Sequence, residues 1–125
     1  MKLIIGGYAQ GKLNYALQNY HLTEGAVTDA ALPEENNGQT VIIYHFHRWV
    51  RACIEQGKQP EELIRDYLSR NPDCIIISDE VGNGIVPLES FEREYRERLG
   101  RLLTEIAGQS EEVVRVICGI GQRIK

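Results

Sequence analysis

A glycine loop that ends in a lysine is the part of this sequence best suited to chemistry. The loop has the pattern G-x-x-x-x-G-K and consists of Gly6, Gly7, Tyr8, Ala9, Gln10, Gly11, Lys12 and Leu13. Glycines let the backbone curl so that several N–H groups converge, the following helix adds its positive end, and the lysine adds a full charge. The pattern therefore predicts a site for the phosphates of a nucleotide.

The position after the lysine departs from this pattern. A hydroxyl is expected there to bind Mg²⁺, and Leu13 cannot coordinate a metal. The loop thus predicts nucleotide binding more firmly than phosphoryl transfer. A tight strand-to-helix turn without a ligand is the alternative. The apolar run over residues 2–5 and the helical pattern from Asn14 supply the strand and helix that a phosphate loop requires.

Two adjacent carboxylates follow a second apolar strand. Asp79 and Glu80 come directly after residues 73–78, a continuous apolar run typical of a buried parallel strand. Ligands of open α/β sheets bind beyond the carboxyl ends of the strands, so we expect these acids to face the glycine loop. Either could hold Mg²⁺ or position an acceptor, with Glu80 as the candidate catalytic acid beside Lys12. A solvated acidic turn or a helix cap is the alternative.

The elements that must position these groups alternate between strands and helices. Strands are predicted at residues 2–5, 40–46, 73–78 and 113–118, with a short final strand after Gly119. Helices are predicted after each of the first two strands, from Pro60 to Asn71, and over about residues 88–107. Residues 21–39 form a long irregular connection. We expect an α/β fold with a mainly parallel sheet, in a single nucleotide-binding domain over residues 1–125.

Composition restricts the class of protein. The 125 residues carry a net charge of −4, are 42% hydrophobic and contain no basic run, which argues against a nucleic-acid partner. No apolar stretch reaches the roughly 20 residues of a membrane span, so we expect a cytoplasmic protein. The three cysteines, Cys53, Cys74 and Cys118, form no C-x-x-C pair, and we interpret them as small buried hydrophobes.

Two histidines lie two positions apart near the end of the strand predicted over residues 40–46. His45 and His47 could share a side and bind a metal. A half-buried position at an element boundary is the more common role, and no third ligand is evident. Trp49 is expected in the core rather than as a base-stacking platform.

The segment that contains the two acids resembles one family closely. Residues 75–87, I-I-I-S-D-E-V-G-N-G-I-V-P, are similar to the V-x-N-E-V-G-x-G-I-V-P segment of the adenosylcobinamide kinase/adenosylcobinamide-phosphate guanylyltransferase family of cobalamin biosynthesis. The opening glycine loop is similar to that family's G-G-x-x-S-G-K-S, Arg96 with Gly100 and Arg101 to its F-R-D-x-x-G-R, and residues 118–125 to its closing G-x-x-x-x-x-K. Together the matches span the first twenty residues and nearly all of the last fifty.

The resemblance implies a fold, ligands and site residues. It implies a P-loop NTPase-like three-layer fold, ATP or GTP with Mg²⁺ at the glycine loop, a corrinoid side-chain alcohol as phosphate acceptor, and a homotrimer. Metal binding is expected at Asp79 and Glu80. Substrate contacts are expected from residues of the second glycine-rich segment and the long helix, namely Gly82, Gly84, Val86, Pro87, Arg96 and Arg101.

Several positions depart from the family pattern. Serines of its phosphate loop are replaced by Gln10 and Leu13, an acid and a cysteine by Tyr44-His45, and an N-Q pair by Leu103-Thr104. The segment with the family's guanylylated histidine is largely missing between His21 and Thr40, so we expect no guanylyltransferase activity. The alternative that the resemblance leaves open is that His45 or His47 replaces this missing acceptor. Two interpretations stay open: a short kinase of the cobinamide type, and a nucleotide- or corrinoid-binding partner or regulator that has lost the chemistry.

Overall fold

One six-stranded sheet organises the chain in the computed structural model, which describes residues 1–35, 38–80 and 89–125. The strands are β1 (Lys2–Gly6), β2 (Val27–Asp29), β3 (Val41–Tyr44), β4 (Cys74–Asp79), β5 (Glu112–Ile117) and β6 (Ile120–Arg123). The helices are α1 (Lys12–Asn19), α2 (Phe46–Glu55), α3 (Pro60–Arg70) and α4 (Ser90–Gln109), with a short 3₁₀ helix at Glu24–Ala26.

The sheet order β2-β3-β4-β1-β5-β6 places β1 between β4 and β5. All pairs are parallel except β5 with β6, which are antiparallel. Gly6 lies in register with Asp79, and the backbone N–H of Glu80 donates to the carbonyl of Gly6 at 2.8 Å. The end of β4 and the start of the glycine loop are therefore neighbours, and the predicted α/β fold with a mainly parallel sheet is confirmed.

Helices cover both faces of the sheet because successive strand residues point to opposite sides. Leu3 and Ile76 belong to a core beneath α2, α3 and α4, whereas Ile4 and Ile77 belong to a second core beneath α1. Trp49 is 8% exposed within the first core, as predicted. No helix in the described ranges is both long and apolar enough to cross a membrane.

Three local predictions needed correction. The strand predicted over residues 40–46 ends at Tyr44, because His45 adopts a left-handed backbone conformation (φ 53) that stops the strand and starts α2. Cys118 is exposed in the turn between β5 and β6 with φ 50, so it is neither buried nor in a strand. The connection over residues 21–39 contains β2, which pairs in parallel with β3. This strand has only three residues, too few to show a periodic pattern.

Candidate phosphate site

The glycine loop connects β1 to α1 through two residues with left-handed backbone conformations. Ala9 has φ 55 and Gly11 has φ 85. Such residues turn neighbouring N–H groups toward a common point and form a concave anion site. Within the described part of the chain, the backbone N–H groups of residues 8–11 donate no hydrogen bond to another residue. These donors and the N-terminus of α1 are thus available to a phosphate.

Lys12 extends from the start of α1 into this loop. Its side chain is only 5% exposed, and its ammonium donates to the carbonyl of Gly7 at 2.6 Å and lies 2.7 Å from Oδ1 of Asp79. A buried ammonium requires such partners, because an unpaired charge inside a protein is costly. The predicted juxtaposition of Lys12 and Asp79 is present. The charge is held beside the loop by contacts that a phosphate oxygen could replace.

The two adjacent acids have different partners. Asp79 faces Lys12, whereas Glu80 is held by the guanidinium of Arg115, with Nε 2.7 Å from Oε1 and an N–H donated to Oε2 at 3.1 Å. Consecutive residues at a strand end point to opposite sides, which explains the separation. Of the two candidate acids, the structure brings Asp79 to the glycine loop and places Glu80 against β5.

A cavity of about 330 Å³ lies over the loop. Beside the loop residues its walls include Tyr44, His45, Arg48 and Asp79. Sequence reasoning had not assigned Tyr44 or Arg48 to a site. The one feature of the sequence that could have indicated them is their position. Both flank the carboxyl end of β3, at the same edge of the sheet as the loop. Burial and the neighbouring Asp29 and Asp79 raise the pKa of Tyr44, so its hydroxyl stays a hydrogen-bond donor.

The two histidines near this edge have separate roles. Nδ1 of His45 lies 2.6 Å from a carboxylate oxygen of Asp29 on β2. His47 is 8% exposed, and its Nδ1 accepts the backbone N–H of Asp79 at 3.1 Å. Burial lowers the pKa of His47 although Asp79 opposes the shift, and a ring nitrogen that accepts from an N–H must be unprotonated. Among the described residues no group of three potential ligands could hold a metal.

The residues of this site suit a magnesium ion whose ligands are mostly phosphate oxygens and water, with one protein carboxylate. Asp79 supplies carboxylate oxygens at the cavity, and Mg²⁺ is commonly held by one or two carboxylates together with phosphates and water. Glu80 points its oxygens at Arg115 instead. Leu13 offers no oxygen, and its side chain packs against the core beneath α1.

Gln10 has a structural role at the position where a serine is usual. Its side-chain oxygen accepts the backbone N–H of Cys118 at 2.7 Å, and its carbonyl accepts the N–H of Gly119 at 2.8 Å. Both contacts attach the glycine loop to the turn between β5 and β6. This contact was not foreseen, because Gln10 and Cys118 are 108 positions apart.

Of the remaining predicted substrate contacts, Arg96 and Arg101 are not among the described residues that line this cavity. Arg101 lies on α4, 3.9 Å from Glu97, and lines a different cavity with Glu61 and Arg65. Arg96 is half-buried on α4 and is not part of the described wall over the loop. The other candidates, Gly82, Gly84, Val86 and Pro87, lie outside the described residues.

Comparison with known proteins gives one matching family. The sequence model of the family described as cobinamide kinase / cobinamide phosphate guanyltransferase matches residues 18–124. Two curated relatives, from Salmonella typhimurium (strain LT2) and Escherichia coli (strain K12), are each named bifunctional adenosylcobalamin biosynthesis protein CobU. Each is 39% identical to this chain, over 80 and 81 residues respectively.

These matches are partial in two respects. Each alignment covers 62% of this chain and 44% of the relative, so the chain aligns with less than half of the length of these proteins. The family match begins at residue 18, after the glycine loop and most of α1. The assignment of the loop as a phosphate site therefore depends on its own geometry.

Proposed function

The chain belongs to the cobinamide kinase / cobinamide phosphate guanyltransferase family, and we propose that it is a kinase that transfers the terminal phosphoryl group of ATP or GTP to a corrinoid alcohol. The glycine loop over residues 6–13 would bind the nucleotide, and residues 1–125 would form a single nucleotide-binding domain. Guanylyl transfer is not part of this proposal. The acceptor class follows from the family, since its description names cobinamide as the phosphorylated compound.

The observation that supports this proposal is the placement of Lys12 and Asp79 in one cavity. The ammonium lies between the carbonyl of Gly7 and the carboxylate, at 2.6 and 2.7 Å, beside loop amides without partners among the described residues. Phosphoryl transfer needs positioned positive charge and N–H donors at the transferring group more than covalent help from the protein. The site has both.

Each residue of the cavity then has a role that its position supports. Lys12 and the loop amides would bind the phosphates and stabilise the charge of the transition state. Arg48, at the first turn of α2, would add a second cation at the cavity wall. Asp79 would hold Mg²⁺ through one carboxylate. The positive charge that Asp79 would hold in this way would offset the negative charge of the phosphates.

The test is a transfer assay with purified protein, adenosylcobinamide, Mg²⁺ and either ATP or GTP. We expect phosphorylated corrinoid from the wild type. Lys12→Ala should lower the rate by about 10²-fold or more, because removal of a positioned charge from the transferring group typically costs this much. Nucleotide affinity, measured by calorimetry, should fall in the same variant.

The matched control is Lys2→Ala. Lys2 is a lysine on β1 whose ammonium pairs with Glu111 away from the cavity, so both affinity and rate should be unchanged. Product formation that is equal in wild type and Lys12→Ala would contradict the assignment of the loop. Absence of nucleotide binding by the wild type would reject the site altogether.

A second function is favoured by the two substituted loop positions. Gln10 and Leu13 stand where the family's loop has serines, so neither offers a hydroxyl. Leu13 packs against a core, and the side chain of Gln10 attaches the loop to the turn between β5 and β6. A binding protein that keeps the phosphate site without catalysis, acting as a partner or regulator, fits these observations. Nucleotide binding that Lys12→Ala abolishes, together with no phosphorylated product, would select this function over the kinase.

A further inference from the structure

His45, which precedes the first residue of α2, is oriented in the way expected of a general base. The Nδ1–H of His45 donates to the carboxylate of Asp29 at 2.6 Å, and the imidazole stacks on the ring of Tyr44 with 3.7 Å between centroids. The side chain is 17% exposed and forms part of the cavity wall over the glycine loop. Nε2 has no hydrogen-bond partner among the described residues.

This arrangement fixes both the tautomer and the orientation of the ring. A carboxylate that accepts from Nδ1–H leaves the lone pair on Nε2 and stabilises the imidazolium that forms when Nε2 takes a proton. His45 also has a left-handed backbone conformation, with φ 53. Non-glycine residues seldom adopt it, and such conformations occur often at functional sites.

We propose that His45, oriented by Asp29, is the general base that activates the hydroxyl acceptor for phosphoryl transfer in this cavity. The inference rests on the proposed kinase function and adds a catalytic residue to it. Nε2 takes the proton of the acceptor hydroxyl as its oxygen forms a bond to the terminal phosphorus. The bond from that phosphorus to the bridging oxygen breaks, and the nucleoside diphosphate leaves with the electron pair. The proton on His45 then passes to solvent.

The other charged groups at the cavity are less suited to this role. Asp79 is paired with Lys12, and Lys12 and Arg48 are cations that cannot accept a proton. His47 uses Nδ1 on the backbone N–H of Asp79, and its Nε2 lies 3.4 Å from the same carboxylate. Glu80 is held by Arg115. Among the charged and titratable residues described at this wall, His45 is therefore the one that combines an available lone pair on Nε2 with a carboxylate at Nδ1.

The test uses His45→Asn in the corrinoid transfer assay. Asparagine tolerates a left-handed backbone, and its amide N–H₂ can donate to Asp29 in place of Nδ1–H, but it has no equivalent of Nε2. We expect kcat to fall by about 10²-fold or more, the usual contribution of a general base, with nucleotide affinity unchanged. Thermal unfolding of the variant should match the wild type.

Two further variants separate catalysis from structure. His45→Gly suits the left-handed backbone and opens space, so added imidazole should restore the rate in a saturable manner. His21→Asn is the matched control, because His21 is also a histidine with positive φ (54) but does not line the cavity. Its rate should equal that of the wild type.

The outcomes distinguish this inference from the function on which it rests. A wild-type enzyme that phosphorylates corrinoid, while His45→Asn stays within about threefold of it, overturns the base and leaves the kinase intact. A loss of rate that imidazole does not restore in His45→Gly also overturns it, because a structural role would behave in this way. A wild type that binds nucleotide without any transfer rejects both proposals.

Discussion

At the residue scale, the site depends on a buried charge and the groups that compensate it. Lys12 is 5% exposed and Asp79 is 18% exposed, so their ion pair is largely shielded from water. Such pairs add little net stability, but removal of one partner leaves an uncompensated charge and costs several kcal/mol. The same shielding would strengthen the attraction of Lys12 for a phosphate, if a phosphate replaced one of its present partners as proposed.

A first prediction concerns the stability of this pair without ligand. Asp79→Asn should lower the free energy of unfolding by about 2–3 kcal/mol, because the ammonium of Lys12 loses its counter-charge in a buried position. Urea unfolding in metal-free buffer measures this. Glu97→Gln is the matched control: Glu97 and its partner Arg101 are both 71% exposed, so no measurable change is expected. Equal values for the two variants would show that the Lys12–Asp79 pair is not shielded.

At the element scale, the close approach of β1 to β5 determines where the loop begins. A Cβ on Gly6 would lie 2.5 Å from the backbone carbonyl oxygen of Val116 and 3.3 Å from Cδ of Lys12. The first of these atoms belongs to a strand and cannot move without disturbing the ladder. Gly6 is therefore required by packing, in addition to any role toward a ligand.

A second prediction follows for paired glycine substitutions. Gly6→Ala should destabilise the protein by about 2–3 kcal/mol, because overpacking against a fixed backbone is costly. Gly100→Ala should have the opposite sign. Gly100 lies inside α4, where an added Cβ would meet nothing within 4 Å, and alanine is favoured over glycine in a helix by about 1 kcal/mol. Chemical denaturation of both variants measures the sign of each change in the free energy of unfolding. Stabilisation by Gly6→Ala would contradict the close contact with the carbonyl of Val116.

At the scale of the whole molecule, carboxylate–guanidinium pairs connect the helices of one face. Arg51 on α2 pairs with Glu92 on α4, and Arg98 on α4 pairs with Glu61 on α3. Hydrogen bonds from these arginines are the main reason that the pKa values of Glu61 and Glu92 are lowered, and Arg65 lowers that of Glu105 in the same way. These carboxylates therefore favour the folded state when they are ionised.

A third prediction is the resulting dependence of stability on pH. A carboxyl group whose pKa is lower in the folded state contributes stability above its unfolded pKa, and this contribution is lost as the pH falls through the folded pKa. The lowered pKa of His47 should make the free energy of unfolding decrease as the pH falls below about 6.5. The paired carboxylates should add a further decline below about pH 4.5, the ordinary range of glutamate. Glu61→Gln should make this decline shallower. Urea unfolding of the wild type and of Glu61→Gln, repeated from pH 7 to pH 3, measures how the free energy of unfolding of each protein changes with pH. Equal slopes below about pH 4.5 would disprove the contribution of Glu61.

The sequence by itself determined the order of most elements and predicted a glycine loop suited to anion binding. Both are local properties, since apolar runs of strand length, helical spacing and a G-x-x-x-x-G-K pattern lie within short windows. This was sufficient to expect a mainly parallel sheet with Lys12, Asp79 and Glu80 at one edge. Boundaries were less certain, as the left-handed residues His45 and Cys118 show, because a conformation with positive φ leaves little trace in composition.

Tertiary structure alone decided which groups meet. Alternation along the strand predicts that Asp79 and Glu80 point to opposite sides, but only the sheet order provides Lys12 as the partner of the first and Arg115 as the partner of the second. The pairing of Asp29 with His45 required the three-residue strand β2, whose position beside β3 is a non-local property. Gln10 likewise contacts a turn at the opposite end of the chain. Partners of this kind are selected by packing across the sheet, and packing is not encoded in any single window of residues.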